Sequence, residues 1–253
     1  MFAGGRGSWS GPAILQARGR ALQALLAIGL ALGACRQVRE RPAVPAGEDP
    51  LRWSADIAAF VDADRAAPFP AGGVVFVGSS SIRLWDTLAR DMAPLQVLNR
   101  GFGGSRLFDS VYWAGELVDV HAPRAVVVFS GTNDLAGDDA KAPEAVRDLF
   151  RALVARLRER DADLAIAYVA ITPTLARERH LEAVREANRL IRAECEADTR
   201  LEFVDPTPDL MDADGRPDAR YFRDDRLHLN AAGYAVWTRH VRPVVERLLA
   251  LSS

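Results

Sequence analysis

Three adjacent serines and one Asp-x-x-His pair are the residues whose types best fit nucleophilic catalysis. Ser79, Ser80 and Ser81 follow a short apolar run, and Asp225 stands three residues before His228 near the C-terminus. A serine hydroxyl is a weak nucleophile and needs a neighbouring base, which an imidazole supplies when a carboxylate fixes its tautomer. The spacing therefore favours a Ser-His-Asp hydrolase.

Each segment also has a purely structural interpretation when it is taken alone. A serine of the triplet would cap the following helix, and Asp225 and His228 would satisfy each other locally at a helix entry. A metal site built on His228, Asp224 and Asp225 is a weaker alternative, because no third convincing ligand stands elsewhere. The other histidines suit the role of base less well, since they lie in charged helical stretches or before a strand: His180, His240 and His121.

A glycine pair and an asparagine are candidates for stabilising the negative charge that develops during acyl transfer. The Gly103-Gly104 turn can present a backbone N–H without a side chain in the way, and Asn133 can add a side-chain N–H. A plain tight turn and an Asx turn are the structural alternatives. The glycines do not form a dinucleotide loop, because Arg106 stands where that fingerprint requires its third glycine.

Alternating strand and helix patterns place these segments in a fold. Continuous apolar runs, typical of strands buried on both faces, span residues 74–77, 95–98, 125–129, 164–171 and 202–204. Helical periods extend over residues 51–65, 143–160, 175–197 and 231–250. This alternation predicts a three-layer α/β/α sandwich around a parallel sheet of about five strands. Ligands bind beyond the carboxyl ends of such strands, where the serine, glycine and asparagine segments stand.

The composition of the chain excludes several classes of protein. The 253 residues are 49% hydrophobic and 26% charged, with a net charge of −2. The chain is too apolar to be disordered, and no apolar run reaches the ~20 residues of a transmembrane bundle helix. The balanced charge indicates no nucleic-acid partner. Two cysteines cannot build a disulfide framework, and Cys195, in a helical stretch, is expected to be a buried structural cysteine.

The N-terminal residues have the pattern of an export signal. Three arginines and no acidic residue accompany an apolar run of signal-peptide length that ends Leu32-Gly33-Ala34-Cys35. These four residues resemble a bacterial lipobox, in which cleavage before Cys35 makes it the lipidated N-terminus. An ordinary secretory signal is the alternative. We predict a lipoprotein signal peptide at 1–34, the lipidated cysteine with a flexible tether at 35–50, and a hydrolase domain at 51–253.

In order along the chain, four segments resemble the sequence blocks of the SGNH/GDSL esterase–lipase family, over residues 74–240. Gly78-Ser79-Ser80 resembles the Gly-Asp-Ser block, which implies that Ser80 is the nucleophile. Residues 99–104 resemble the block whose last glycine donates a backbone N–H, here Gly104. Residues 131–134 resemble the Gly-x-Asn-Asp block, with Asn133 as oxyanion donor, and Asp225-x-x-His228 resembles the final block.

One position departs from that family pattern. Ser79 stands where the family usually carries an aspartate that is not part of its triad, so activity is expected to survive. Three adjacent serines result, and Ser79 and Ser81 stay open as nucleophiles although the register favours Ser80.

The resemblance implies a flavodoxin-like SGNH hydrolase fold and ester hydrolysis without a metal or organic cofactor. Ser80, Gly104 and Asn133 would form the oxyanion hole. Expected substrates are short-acyl or acetyl esters of a small molecule, lipid or glycan. Thioester hydrolysis, acyl transfer and a non-catalytic envelope binding module are the alternatives. The lipid anchor would hold the exported protein on a bacterial membrane, facing the periplasm or the cell surface. Six residues could line the acyl pocket, although each fits the core equally well: Phe102, Leu107, Phe108, Leu135, Leu175 and Tyr221.

Overall fold

The structure of the protein is a computed structural model that describes residues 1–2 and 41–251. The chain divides into two units, residues 1–40 and residues 41–253, and the fold below is that of the second. The predicted signal peptide beyond Phe2 and the predicted lipidation site, Cys35, lie outside the described residues. No helix in the described part of the chain is long and apolar enough to cross a membrane.

A sheet of five parallel strands forms the centre of this unit, in the order β2-β1-β3-β4-β5. The order is that of flavodoxin-like doubly wound sheets, so the predicted fold class is confirmed. The strands are β1 (Val74–Gly78), β2 (Val97–Gly101), β3 (Ala125–Phe129), β4 (Ala165–Val169) and β5 (Leu201–Val204).

Helices cover both faces of the sheet. One face carries α1 (Ser54–Ala66), α4 (Leu107–Tyr112), α5 (Ala114–Leu117), α6 (Pro143–Leu157) and α7 (Leu181–Glu196). The other carries α2 (Ser80–Arg83), α3 (Leu88–Asp91) and α8 (Ala231–Leu251). Short 3₁₀ turns lie at Pro50–Trp53, Asp119–His121, Leu175–His180, Thr207–Leu210 and Ala219–Tyr221.

Two apolar cores result, because successive side chains of a strand point to opposite faces. In β1, Val75 and Val77 enter the core beneath α6 and α7, whereas Val74 and Phe76 enter the core beneath α8. All four are at most 1% exposed, which explains why the strand is a continuous apolar run without alternation. The sheet is thus a rigid base for the segments that follow its strands.

The second strand lies later in the sequence than predicted. It spans Val97–Gly101 rather than residues 95–98, and Asn99 pairs with Phe76 inside the ladder. The Asn99 side chain donates to the Ile82 carbonyl (2.6 Å) and accepts from the Gly101 N–H (2.9 Å). These bonds satisfy a polar residue within an edge strand, which a search for apolar runs does not detect.

The helix predicted over residues 175–197 is divided. A 3₁₀ turn at Leu175–His180 precedes α7, and the backbone of Arg177 leaves the helical range (φ −127°, ψ 25°). The break turns the Arg177 side chain toward the residues that follow β3. By contrast, the expected N-cap of α8 is confirmed, because the Asn230 Oδ1 accepts from the N–H groups of Ala232 and Gly233.

Residues 41–50, predicted as part of the tether, contact the domain at several points. The Arg41 guanidinium lies 4.1 Å from the centroid of the Trp113 ring, and the Glu48 Oε1 lies 2.9 Å from the Lys141 Nζ. The 3₁₀ turn Pro50–Trp53 then leads into α1. These contacts hold residues 41–50 against the domain.

Candidate active site

Ser80 stands at the sharp turn between β1 and α2. A Cβ at Gly78 would collide with the Phe129 carbonyl, so only glycine lets β1 end this close to β3. Ser79 is extended and fully buried, and Ser80 is the first residue of α2. Its N–H is therefore one of the free donors that every helix start presents. Ser80, the serine favoured by the sequence register, is the one of the three whose hydroxyl meets a histidine.

His228 contacts this hydroxyl from the loop before α8, and Asp225 of the same loop contacts His228. The His228 Nε2 lies 2.8 Å from the Ser80 Oγ, and the His228 Nδ1 lies 2.7 Å from the Asp225 Oδ2. The other carboxylate oxygen of Asp225 accepts the backbone N–H groups of Leu227 and His228, both at 2.9 Å. The structure thus brings Ser80 together with a pair that stands far from it in the sequence, in the order serine, imidazole, carboxylate.

The carboxyl group of Asp225 is held in its ionised form. Partial burial raises its pKa, but the hydrogen bonds from the His228 side chain and from the N–H groups of His228 and Leu227 outweigh burial and lower the pKa to about 2. A permanently ionised carboxylate on Nδ1 fixes the imidazole tautomer that leaves Nε2 free to accept a proton.

The loop after β2 supplies a glycine N–H near the same place. Gly104 has a φ of +83°, which favours glycine, and its N–H has no acceptor among the described residues. The loop is fixed to the end of β1, since the Phe102 N–H donates to the Gly78 carbonyl at 3.0 Å. Gly104 is therefore available as a backbone donor at the carboxyl end of the sheet, where Ser80 also stands.

Asn133 follows β3 and lines the same cavity as Ser80 and His228. Its Nδ2 donates to the Ser105 carbonyl (2.9 Å), and its Oδ1 accepts from Arg177 (2.9 Å). One hydrogen of the Nδ2 remains without a partner among the described residues. The asparagine predicted from the Gly-x-Asn-Asp segment is thus held by two hydrogen bonds beside the serine, and one N–H of its amide is available to a ligand.

Buried polar residues hold this edge of the sheet together. The Asp134 Oδ2 accepts the Leu107 N–H (3.0 Å), which joins the segment after β3 to the start of α4. Burial raises the pKa of Asp134, and the Lys141 ammonium, 3.3 Å from its Oδ1, opposes that rise. The Trp53 ring packs against Gly104, since a Cβ on this glycine would lie 3.2 Å from the Trp53 Cη2.

The cavity beside Ser80 is small and partly open to solvent. It has room for about one water molecule. Thr172, Thr174, Arg177 and Trp237 belong to its lining, and the sequence interpretation missed all four. Thr172 and Thr174 follow β4, so the rule that ligands bind beyond strand ends could have found them. No motif in the sequence marks Arg177.

The six candidates for the acyl pocket do not line this cavity, so the alternative that they belong to the core is favoured. None of the six lines the cavity at Ser80, and Leu135 lines an adjacent cavity of similar size. Phe102, Leu107, Phe108 and Leu135 are core residues. Loop position alone does not show which way an apolar side chain points, and burial in the core stabilises these four more than an open cleft would.

The remaining histidines and the second cysteine lie outside this site. His121 is buried beside Arg100, His240 is bound to Asp209, and Cys195 is buried, as expected for a structural cysteine. Among the described residues, no group of three or more His, Cys, Asp or Glu side chains could hold a metal ion.

The fold and the site together are those of a hydrolase built on a flavodoxin-like α/β/α sandwich. The sequence profile of the GDSL-like Lipase/Acylhydrolase family matches residues 70–236. Platelet-activating factor acetylhydrolase IB subunit alpha1 of Pongo abelii is 33% identical over 190 residues, which cover 70% of this chain and 77% of the relative. The chain belongs to the GDSL-like lipase/acylhydrolase family and is a hydrolase of ester bonds.

Solved structures share the fold at lower sequence identity. A GDSL-like lipase from Bacteroides thetaiotaomicron is 19% identical with a TM-score of 0.65, covering 76% of this chain and 98% of that one. A carbohydrate esterase of family 3 from Talaromyces cellulolyticus is 16% identical with a TM-score of 0.58, covering 72% of this chain and 100% of that one. At these identities the likeness concerns the fold alone.

Proposed function

We propose that this protein is a serine esterase that removes short acyl groups, chiefly acetyl, through a triad of Ser80, His228 and Asp225. The observation that carries the proposal is the continuous hydrogen-bonded chain from the Ser80 Oγ through the imidazole to the Asp225 carboxylate. The domain belongs to the acylhydrolase family, and these three hydrogen-bonded residues lie at the carboxyl ends of the strands, where substrates bind.

Each residue has a distinct role in the proposed reaction. The His228 Nε2 takes the Ser80 proton as the Oγ attacks the ester carbonyl, and Asp225 stabilises the resulting imidazolium. The N–H groups of Ser80 and Gly104 and the Nδ2 of Asn133 receive the oxyanion. His228 then protonates the leaving alcohol, and water, deprotonated by the same imidazole, hydrolyses the acyl-enzyme.

The size of the cavity supports an acetyl group as the acyl part. The space beside the nucleophile has room for about one water-sized group, which suits the methyl group of an acetyl ester better than a longer chain. The relative from Pongo abelii is named as an acetylhydrolase, which agrees with a small acyl group. The alcohol part, of a small molecule, lipid or glycan, would lie outside this cavity. The carbohydrate esterase from Talaromyces cellulolyticus makes a glycan one reasonable carrier.

Fluorophosphonate labelling of the purified protein, followed by peptide mapping, tests the nucleophile. We expect one adduct, on Ser80, and none in Ser80→Ala. Ser81→Ala is the matched control, since Ser81 is the next residue of the same helix and, among the described contacts, forms no hydrogen bond with His228. An adduct on Ser79 or Ser81, or no adduct on folded protein, would overturn the assignment.

A series of nitrophenyl esters tests the acyl group. We expect kcat/KM to fall by roughly 10-fold or more from acetate to butyrate, because the extra methylenes do not fit the cavity. Equal kcat/KM values for acetate and octanoate would contradict the acetyl assignment while leaving the triad intact.

We also propose that the protein is an exported lipoprotein anchored through Cys35, on the strength of the Leu32-Gly33-Ala34-Cys35 segment. Metabolic labelling with an alkyne fatty acid in a bacterial host should mark the wild-type protein, and Cys35→Ala should abolish the label. Labelling of Cys35→Ala at the wild-type level would refute the anchor.

A further inference from the structure

Arg177 donates hydrogen bonds to the segment that carries Asn133. Its Nη1 donates to the carbonyl oxygen of Thr132 (2.7 Å) and to the Thr132 Oγ1 (3.0 Å), and its Nη2 donates to the Asn133 Oδ1 (2.9 Å). Arg177 also lines the cavity that holds Ser80 and His228. One guanidinium therefore engages three acceptors on two consecutive residues beside the nucleophile.

The positive charge of Arg177 has no carboxylate partner. Among the described residues, no Asp or Glu oxygen lies within 4.0 Å of its guanidinium, whose partners are all neutral oxygens. Burial lowers the pKa of Arg177, yet an arginine stays charged in proteins. Partial burial of an unpaired cation costs free energy, so the contact is not explained by stability alone.

The bond from Arg177 fixes which way the Asn133 amide faces. The Oδ1 accepts from the guanidinium, and the Nδ2 donates to the Ser105 carbonyl. If the amide were rotated by half a turn, its NH₂ would face the guanidinium donors and its oxygen would face the Ser105 oxygen. Both contacts would be repulsive, so the two bonds select a single orientation.

The backbone beside Arg177 also reaches the loop that holds His228. The N–H of Ala176 donates to the carbonyl of Arg226 at 3.1 Å. Arg226, with a φ of +56°, lies between Asp225 and His228. The 3₁₀ turn Leu175–His180 thus contacts the asparagine on one side and the histidine loop on the other, and the break in helical geometry at Arg177 permits both contacts.

From this geometry we propose that Arg177 is a positioning residue for acyl transfer. It holds the Asn133 amide so that the second Nδ2 hydrogen faces the developing oxyanion. The proposal rests on the proposed esterase function, and it adds a residue to which the four family-like segments do not point. A donor fixed before the reaction stabilises the transition state more than one that must first rotate into place.

A double-mutant cycle between Arg177 and Asn133 tests the proposal on a neutral acetyl ester. We expect Arg177→Met to lower kcat about 10-fold with KM within about twofold of wild type. In an Asn133→Ala background the same change should lower kcat less than about twofold, because the group that it positions is gone. Arg177→Lys should lie between Arg177→Met and wild type, since an ammonium cannot reach all three acceptors at once.

Arg179→Met is the matched control. Arg179 lies on the same 3₁₀ turn, is exposed, and bonds only to its neighbour His180 among the described residues. This variant should keep the wild-type kcat. Thermal unfolding of each variant identifies any that does not fold. If Arg177→Met does not fold, Arg177→Lys takes its place in the double-mutant cycle with Asn133→Ala.

The outcomes separate this proposal from the function on which it rests. Equal losses from Arg177→Met in the wild-type and Asn133→Ala backgrounds, or a loss confined to KM, would overturn the positioning role alone. The rate of fluorophosphonate labelling is measured over the same cycle, because it needs an activated serine and an oxyanion hole but no particular ester. Absence of labelling in wild-type protein would overturn the esterase function and the positioning role together.

Discussion

Trp53 packs against Gly104. The Cη2 of the indole would lie 3.2 Å from a Cβ on the glycine, and the indole N–H donates to the Asp109 Oδ2 at 3.0 Å, just beyond the same loop. Trp53 precedes residues 70–236, the part of the chain that matches the family. A residue outside the family match therefore supports the loop that would supply the backbone donor of the oxyanion hole.

Substitution of Gly104 by alanine should reduce both stability and activity. A non-glycine residue at a φ of +83° costs roughly 1–2 kcal/mol, and the new methyl group would press on Trp53. We expect kcat for an acetyl ester to fall at least about 10-fold. Gly215→Ala is the control, since Gly215 has a φ of +72° and open space around its Cβ position. Equal kcat values in the two variants would show that Gly104 does not serve the reaction.

Removal of the Asn133 amide should affect the chemical step and spare substrate binding. Loss of one oxyanion donor typically lowers kcat by about 10²-fold, and we expect this for Asn133→Ala with KM little changed. Asn133→Asp retains an acceptor for Arg177 but replaces the Nδ2 donor by an oxygen, so it should be at least as impaired. Steady-state kinetics with acetyl esters decide, and wild-type kcat in either variant would exclude the oxyanion role.

Replacement of Asp225 by asparagine should also act on kcat. The amide carries no negative charge to stabilise the imidazolium, and its NH₂ group can select the wrong imidazole tautomer, so we expect a loss of at least about 10²-fold. Asp224→Asn is the matched control, because Asp224 is the adjacent exposed carboxylate and should be replaceable without effect. A similar loss in both variants would point to damage of the loop rather than to the triad.

The carboxylate of Asp225 also predicts a pH dependence of stability. Its folded pKa, about 2, lies below the ordinary value of 3.8. A lowered folded pKa means that its contribution is fully present above pH 3.8 and is lost as the pH falls toward 2. The side chain is 46% exposed, so the effect should be small. The difference in Tm between wild type and Asp225→Asn should therefore shrink between pH 4 and pH 2. A constant difference over that range would contradict the shift.

Cys195 should be unreactive while the protein is folded. Burial raises the pKa of its thiol to about 12, so almost no thiolate exists at pH 8. Cys35→Ser leaves Cys195 as the only cysteine of the chain. With this variant, Ellman's reagent should react slowly in native buffer and rapidly in denaturant. Fast reaction under native conditions would contradict the burial of Cys195.

Several elements could be predicted because their local pattern leaves few alternatives. The third strand, Ala125–Phe129, lies where its apolar run predicts it, since a strand buried on both faces needs apolar residues throughout. The second strand was misplaced because Asn99 sits inside it, satisfied by bonds to Ile82 and Gly101. The helix over residues 175–197 was predicted as continuous because its periodicity does not register the contacts that Arg177 makes with Thr132 and Asn133.

The sequence by itself determined the parallel α/β class and the residues that could do chemistry, because apolar periodicity and residue type are local properties. It left the choice among three serines open, and its candidates for the acyl pocket fitted the core equally well. Tertiary structure places one of the serines against a base, since the Ser80 hydroxyl and the His228 imidazole, far apart in the chain, meet only when the sheet orders its strand ends. It also decided that Arg177 contacts Asn133, because no sequence spacing encodes which distant side chains a folded chain brings into hydrogen-bond range.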